Sequence, residues 1–215
     1  MVAHSKGLFI TLEGGEGAGK STLSLGLKEK LEAAGRAVLM TREPGGTPKG
    51  EEIRKVLLAG IAQKMGPMAE ALLFASARDE HLKMIIRPAL EKKLTVLCDR
   101  FSDSTRAYQG YVGGVTRALI ERLDQVVVGD TKPDVTFIVD VPAEIGLSRV
   151  KLRAGRTDRF ESEELSFHHK LRAAYIDISQ RFPERCIVLD GTQTPEAVLE
   201  KAWNALAQHP AFAQN

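Results

Sequence analysis

The sequence has little cysteine, little net charge and no metal-binding pattern, and each shortage excludes a class of protein. Its two cysteines, Cys98 and Cys186, lie in apolar runs, which predicts buried thiols in a reducing compartment. No CxxC or HExxH motif is present, so no structural zinc site is expected. The adjacent His168 and His169 are not spaced as metal ligands and are predicted to lie on a solvated helix. The formal net charge of +2 is too small to indicate nucleic-acid binding, so any anion site must be local.

Long hydrophobic segments are also missing. No run reaches the length of about 18 apolar residues that a membrane helix needs. The first seven residues, MVAHSKG, lack the apolar core of a secretory signal. We therefore expect a cytoplasmic protein with neither a membrane nor a nucleic acid as partner. A chain of 215 residues is long enough for a single domain, 1–215, with its own hydrophobic core.

Five short apolar runs alternate with helical patterns along the chain. The predicted buried strands are Leu8–Leu12, Ala37–Thr41, Thr95–Cys98, Val135–Val141 and Cys186–Leu189. After the first strand, Leu23, Leu27, Leu31 and Ala34 recur at helical spacing, and Gly35 is predicted to end that helix. Continuous apolar strands between helices are typical of an α/β fold with a parallel sheet covered on both faces. Ligands of such sheets bind beyond the carboxyl ends of the strands.

A glycine-rich stretch follows the first predicted strand. Residues 14–21, GGEGAGKS, match the phosphate-binding P-loop and stand between a strand and a helix, as that motif requires. Free backbone N–H groups and the helix N-terminus favour phosphate, and Lys20 is placed to reach the outer phosphates. The Ser21 hydroxyl is a predicted Mg²⁺ ligand. The predicted nucleotide-phosphate residues are Gly14, Gly15, Glu16, Gly17, Ala18, Gly19, Lys20, Ser21 and Thr22.

A P-loop leaves three function classes open: a small-molecule kinase, a GTPase switch and an ATPase motor. The stretch TKPD at 131–134 is similar to a guanine-reading TKxD motif, but it precedes the fourth predicted strand instead of following one. No DxxG motif occurs, so the γ-phosphate sensor of a switch is missing. A motor would need a second domain, for which 215 residues leave no room. The kinase interpretation is favoured.

Charged residues at the ends of the second and third predicted strands fit a kinase. Asp99 ends the third strand and is predicted to bind Mg²⁺ directly or through water. Arg100 follows it, and Arg42 follows the second strand, so both are predicted to hold the phosphate of an acceptor. For Arg42 alone, the competing interpretation is a surface ion pair with Glu43.

A basic segment, RVKLRAGRTDRFE at 149–161, follows the fourth strand. Arg149, Arg153 and Arg156 share one helical face. This face is either solvated or part of a lid that closes over the transferred phosphoryl group. The P-loop carries Glu16 and no arginine, so the arginine that stabilises the transferred phosphoryl group would have to come from a lid. The lid interpretation, for about residues 149–161, is therefore favoured.

Five motifs together resemble those of bacterial thymidylate kinases. EGGEGAGKST, TREPGG, LLFASAR, CDRFSDSTRAYQG and DGTQTPEAV occur in that family's order, and the resemblance runs from Leu8 to about Leu206. It implies the nucleoside-monophosphate-kinase version of the P-loop NTPase fold, with five parallel strands and a lid. It also implies phosphoryl transfer from ATP to dTMP, giving dTDP and ADP in dTTP biosynthesis, with Mg²⁺ and a homodimer. The alternative is a kinase of the same fold with another acceptor.

The resemblance also implies individual roles. The acceptor residues would be Glu16 at the sugar 3′-hydroxyl, Arg42 and Arg100 at the phosphate, Phe74 stacked on thymine, Arg78 at O4, Thr105 beside the base and Tyr108 at the 2′ position. Without the resemblance, Phe74 would be read as a core residue, although it shares a helical face with Arg78. Arg149 would flank adenine. The catalytic set would be Lys20, Asp99, Arg100 and Arg153, with Arg156 as the alternative lid arginine.

Overall fold

The computed structural model of the chain describes residues 6–152 and 159–214. A parallel sheet of five strands in the order β2-β3-β1-β4-β5 forms its centre. The strands are β1 (Phe9–Glu13), β2 (Val38–Arg42), β3 (Thr95–Asp99), β4 (Val135–Asp140) and β5 (Cys186–Asp190). Each strand boundary lies within one residue of the sequence expectation. The predicted α/β fold with five parallel strands is therefore confirmed.

Helices connect the strands and cover both faces of the sheet. The α-helices are α1 (Lys20–Ala33), α2 (Pro48–Leu58), α3 (Pro67–His81), α4 (Arg87–Glu91), α5 (Ser102–Thr105), α6 (Arg117–Val127), α7 (Ala143–Leu152), α8 (Leu165–Arg181), α9 (Pro195–Gln208) and α10 (Pro210–Gln214). A 3₁₀ turn lies at Ala62–Met65, and π-helical turns at Leu82–Ile86 and Arg106–Val112 join α3 to α4 and extend α5. On one face, apolar residues of α1 and α9 pack against β1 and β4.

The buried-strand prediction was wrong for the two outer strands. β1, at the centre, is buried along its whole length. In contrast, β2 and β5 are partly exposed, because each has a neighbouring strand on one side only. The apolar runs indicated strands correctly, but the position of a strand within the sheet determines how much of it is covered.

Other sequence expectations can also be compared with the described residues. Cys98 and Cys186 are free and buried, as predicted. His169 is exposed, but the prediction for His168 was wrong, because its ring is buried and only 5% exposed. In the ranges 6–152 and 159–214, no helix has the length and apolar character needed to cross a membrane.

Candidate active site

The P-loop connects β1 to α1 at the carboxyl edge of the sheet. Gly17 has φ +67°, and a Cβ there would lie 2.0 Å from the carbonyl oxygen of Gly146 in α7. Only glycine, which has no Cβ, allows the two backbones to lie this close. The loop is thus pressed against the first turns of the helix that leads into the basic segment.

The side chain of Lys20 folds back over the P-loop. Its Nζ donates hydrogen bonds to the carbonyl oxygens of Gly14 (3.1 Å) and Gly15 (2.8 Å). The residue is only 8% exposed, and burial lowers the pKa of its ammonium group. This contact holds a positive charge beside the backbone N–H groups that would receive the phosphates.

Ser21 and Asp99 form the candidate Mg²⁺ position. The Ser21 hydroxyl donates to Asp99 Oδ2 over 3.3 Å, and Asp99 Oδ1 is buried without a hydrogen-bond partner. No group of three or more histidine, cysteine or acidic side chains suited to a metal occurs in the part of the chain that the structure describes. Mg²⁺ commonly takes one or two protein oxygens and completes its shell with nucleotide phosphates and water. Both residues therefore fit this ion.

An open cleft with about 670 Å³ of empty volume lies beside the P-loop. All seven predicted acceptor residues line it: Glu16, Arg42, Phe74, Arg78, Arg100, Thr105 and Tyr108. They come from the P-loop, the end of β2, helix α3 and the segment after β3. The fold thus brings together residues that are up to 92 positions apart in sequence.

Arg100 and Glu16 form the polar end of this cleft. Arg100 Nη2 contacts both carboxylate oxygens of Glu16, at 2.9 and 3.0 Å, and Nη1 donates to the carbonyl of Gly14 (3.1 Å). The Tyr108 hydroxyl also donates to Glu16. Although burial opposes ionisation, the charges of Arg100 and Lys20 lower the pKa of Glu16 to about 2. Glu16 is therefore a charged acceptor beside an arginine that can bind phosphate.

Phe74 and Arg78 form the other end. Phe74 is half-buried, whereas the side chain of Arg78 is only 5% exposed. Arg78 donates Nε to Glu43 (2.7 Å), and Nη2 to the carbonyl of Phe101 and the hydroxyl of Thr105 (both 3.1 Å). Among the described residues, Nη1 has no hydrogen-bond partner, so this nitrogen is available to a ligand in the cleft.

Arg42 lies at the mouth of the cleft and is exposed. It pairs with Glu51 at 3.1 Å rather than with Glu43. The competing interpretation of an Arg42–Glu43 pair was wrong, because Glu43 is buried against Arg78 and His81.

Arg149 lines a separate cleft on the far side of the P-loop, together with Thr22, Gly191 and Gln193. Its Nη1 donates to the carbonyl of Gly191 over 3.0 Å. This position, between the P-loop and the turn after β5, is where a base attached to bound phosphates would extend.

The predicted lid arginines, Arg153 and Arg156, lie outside the described residues. The chain is described again from Arg159, which pairs with the buried Glu70 at 2.6 Å. The next residue, Phe160, packs edge-on against Tyr108 with ring centroids 5.2 Å apart. Phe160 lines the same cleft as the predicted acceptor residues and was not identified from the sequence.

Sequence reasoning also missed three partners of the arginines in the cleft, of which Glu43 and Tyr175 are buried and Ser104 is half-buried. Glu43 forms an ion pair with Arg78, while Ser104 and Tyr175 accept hydrogen bonds from Arg100 Nη1 at 3.3 and 3.1 Å. Glu43 and Ser104 stand within the motifs TREPGG and CDRFSDSTRAYQG, but no role was assigned to either residue, and Tyr175 lies outside all five motifs. For Glu43, its position next to Arg42 indicated the wrong partner.

The TKPD stretch has a structural role at the opposite edge of the sheet. Asp134 Oδ2 accepts the backbone N–H of Phe9 at 2.7 Å, and the Asp134 N–H bonds the carbonyl of Phe9. This places Asp134 at the amino end of β1 and β4, away from the P-loop. The guanine-reading interpretation therefore has no support in the fold.

Comparison with known proteins gives a consistent result. The family model for thymidylate kinase matches residues 12–202. The chain is 51% identical over 206 residues to a thymidylate kinase of Bradyrhizobium diazoefficiens, covering 95% of this chain and 90% of that relative. It is 52% identical over 204 residues to one of Rhodopseudomonas palustris, covering 94% and 89%. The crystal structure of thymidylate kinase from Ehrlichia chaffeensis superposes with a TM-score of 0.75 at 36% identity, covering 94% of this chain and 99% of that one. The chain belongs to the thymidylate kinase family.

Proposed function

We propose that this enzyme transfers the γ-phosphoryl group of ATP to dTMP, producing dTDP and ADP with Mg²⁺ as cofactor. One observation carries the proposal: a single cleft presents Phe74 and Arg78 at one end and Arg100 with Glu16 at the other, directly beside the P-loop. A nucleotide with a pyrimidine base at the first end would have its phosphate at the second.

The P-loop backbone and Lys20 would bind the donor phosphates. The Lys20 ammonium group bonds two P-loop carbonyls, so it needs only a small movement to reach a phosphate oxygen. Ser21 and Asp99 would hold Mg²⁺, whose charge, when bound, offsets that of the phosphates. Arg149 and the turn containing Gly191 would flank the adenine.

Arg100 and Arg42 would bind the acceptor phosphate. In the structure both guanidinium groups are held by carboxylates, Arg100 by Glu16 and Arg42 by Glu51. A guanidinium group can bind either a carboxylate or a phosphate through two N–H···O bonds, so the phosphate oxygens can replace the carboxylate. Glu16 would then accept a hydrogen bond from the sugar 3′-hydroxyl, and Tyr108, which bonds Glu16, would close the space beside C2′.

Base selection would depend on Phe74, Arg78 and Thr105. Phe74 offers a ring for stacking, and Nη1 of Arg78, which has no partner among the residues that the structure describes, would donate to O4 of thymine. Thr105 fixes Nη2 of the same guanidinium at 3.1 Å. Cytosine has an amino donor in place of O4, so it would leave a buried donor of Arg78 without a partner.

Residues 149–161 would form a lid, with Arg153 or Arg156 supplying the charge that the P-loop lacks. The support is local: α7 packs against Gly17 of the P-loop, so the basic segment begins beside the donor phosphates. A homodimer, a cytoplasmic location and the absence of a nucleic-acid partner stay predictions. For the homodimer there is one supporting feature, the exposed apolar Met68, Leu72 and Val126 on the neighbouring helices α3 and α6.

The test is a coupled ADP-release assay with a panel of monophosphates at fixed ATP and Mg²⁺. We expect dTMP to have the highest kcat/KM, followed by dUMP, which loses about 10- to 200-fold through its missing methyl group. dCMP should be poorer than dUMP, and purine monophosphates should be inert. If AMP, GMP or CMP is phosphorylated faster than dTMP, the enzyme is a kinase of the same fold with another acceptor.

A further inference from the structure

Glu13, the last residue of β1, is a fully buried carboxylate with no ion pair among the described residues. Its Oε1 accepts the backbone N–H groups of Phe101 (2.8 Å) and Ser104 (3.3 Å). Its Oε2 accepts the hydroxyl groups of Ser104 (2.6 Å) and Tyr175 (3.2 Å). A buried carboxylate is costly even with four donors, and no part of the reaction described above uses it.

The donors to Glu13 are the groups that surround Arg100. Phe101 and Ser104 follow Arg100 in the chain. Ser104 Oγ and Tyr175 Oη also accept hydrogen bonds from Arg100 Nη1, at 3.3 and 3.1 Å. Glu13 therefore contacts the guanidinium group through one intervening hydroxyl on each of two elements, α5 and α8.

The backbone at Arg100 requires such support. Its φ of +67° lies in the left-handed region, which a residue with a Cβ rarely adopts. The backbone N–H of the next residue, Phe101, donates a hydrogen bond to Glu13. This bond holds the turn that directs Arg100 from the end of β3 into the cleft.

Hydrogen-bond direction favours an ionised Glu13. Arg100 only donates, so Ser104 Oγ and Tyr175 Oη must accept from it and direct their own hydrogens elsewhere. The two hydroxyls lie 3.0 Å apart, so one can donate to the other, but at least one hydroxyl hydrogen is left for Glu13 Oε2. An ionised carboxylate accepts it together with the Phe101 and Ser104 N–H groups, whereas a protonated carboxyl or an amide would place a donor against one of these donors. Burial and the nearby Asp103 raise the pKa of Glu13 to about 7, against the opposing effect of Arg100. The charged form is costly here, yet it satisfies this network in full.

We propose that Glu13 is a positioning residue for acceptor phosphate binding, which fixes Arg100 through the Phe101 N–H and the Ser104 and Tyr175 hydroxyls. The proposal rests on the proposed function, because it takes Arg100 as a phosphate-binding group. It does not depend on which base the acceptor carries.

The experiment compares Glu13→Gln with the wild type and measures the KM for dTMP, the KM for ATP, and kcat. We expect the KM for dTMP to rise about 10- to 100-fold, the range for losing hydrogen bonds to a charged group. The KM for ATP should stay within about twofold, since Lys20 and the P-loop N–H groups do not contact Glu13. Glu13→Asp, which keeps the charge but shortens the reach, should recover part of the affinity.

Asp103→Asn is the matched control. Asp103 is another buried carboxylate, in α5 directly before Ser104, but it pairs with Arg106 and Arg185 and not with Arg100. Its amide variant should lower the melting temperature and leave the KM for dTMP within about twofold of wild type, because a destabilised segment alone does not move Arg100. If Asp103→Asn raises the KM for dTMP as much as Glu13→Gln does, Glu13 is merely structural and the proposal is wrong.

A second variant tests the same proposal if Glu13→Gln does not fold. Tyr175→Phe removes one hydroxyl of the network, and we expect it to raise the KM for dTMP by about three- to tenfold, as for one hydrogen bond. An unchanged KM for dTMP in either folded variant, or equal increases for dTMP and ATP, overturns the proposal. If the wild type prefers another monophosphate, the proposed function fails, but the same variants measured with that acceptor still decide the role of Glu13.

Discussion

Removal of the Arg78 side chain should destabilise the fold as well as impair the acceptor site, because its partner is equally buried. Arg78 and Glu43 are 5% and 4% exposed, and Nε lies 2.7 Å from Oε2. Truncating one member of a buried ion pair costs about 3–5 kcal/mol, since the other charge loses its partner. His81 Nδ1 remains 3.1 Å from Glu43 Oε1. We therefore expect Arg78→Ala to lose about 3 kcal/mol, at the lower end of that range.

Urea unfolding of four proteins tests this: wild type, Arg78→Ala, Glu43→Gln and the double variant. Because the double variant contains no unpaired carboxylate, its loss should be smaller than the sum of the single losses by at least about 1 kcal/mol. If the loss of the double variant equals the sum of the two single losses to within about 0.5 kcal/mol, the reasoning is refuted. A loss below about 1 kcal/mol in Arg78→Ala alone would also contradict it, because that is the cost of an ordinary hydrogen bond.

Because Arg78→Ala breaks the ion pair with Glu43 and destabilises the fold, acceptor specificity should be measured in a milder variant. Arg78→Lys keeps a positive charge for Glu43 and removes the planar fork, so it perturbs the base contact with less damage to the fold. The ratio of kcat/KM for dTMP to that for dCMP should fall by about tenfold or more in this variant. An unchanged ratio would show that Arg78 does not contact the base.

Three further outcomes are expected. Lys20→Ala should abolish phosphoryl transfer while the protein stays folded by circular dichroism; turnover near the wild-type rate would contradict the P-loop assignment. Arg153→Ala should lower kcat by about 10³- to 10⁵-fold with little change in the Kd for dTMP, and a loss confined to Arg156→Ala would identify the other arginine of the lid. The pKa of Glu13 rises from 4.5 to about 7 on folding, so the folded state holds its proton more tightly. The free energy of unfolding of the wild type should therefore fall by about 3 kcal/mol relative to that of Glu13→Gln as the pH rises from 4.5 to above 7. Urea unfolding at several pH values measures both, and a constant difference between the two proteins across this range would contradict the prediction.

Local patterns in the sequence predicted the strands, the P-loop and the acceptor residues. Apolar runs placed each strand boundary within one residue, for the partly exposed outer strands β2 and β5 as well as for the buried inner ones. Glycine spacing identified the P-loop, since its backbone conformation depends on residues that are close in sequence. The proposed acceptor residues followed from the strand ends, for Arg42 and Arg100, and from motif resemblance for the others, and all seven line one cleft.

Only the tertiary structure showed what holds the arginines of that cleft. Glu43 and Arg78 are 35 positions apart, and Glu13 lies 88 positions before Phe101, so their contacts depend on how β1, β3 and α3 pack. From the sequence, an ion pair between the neighbours Arg42 and Glu43 was the competing interpretation for Arg42. In an extended backbone, however, successive side chains point to opposite sides, so Arg42 faces solvent and Glu43 faces the interior. Whether a charge is solvated or buried in an ion pair is thus determined by packing, which adjacency in the sequence does not reveal.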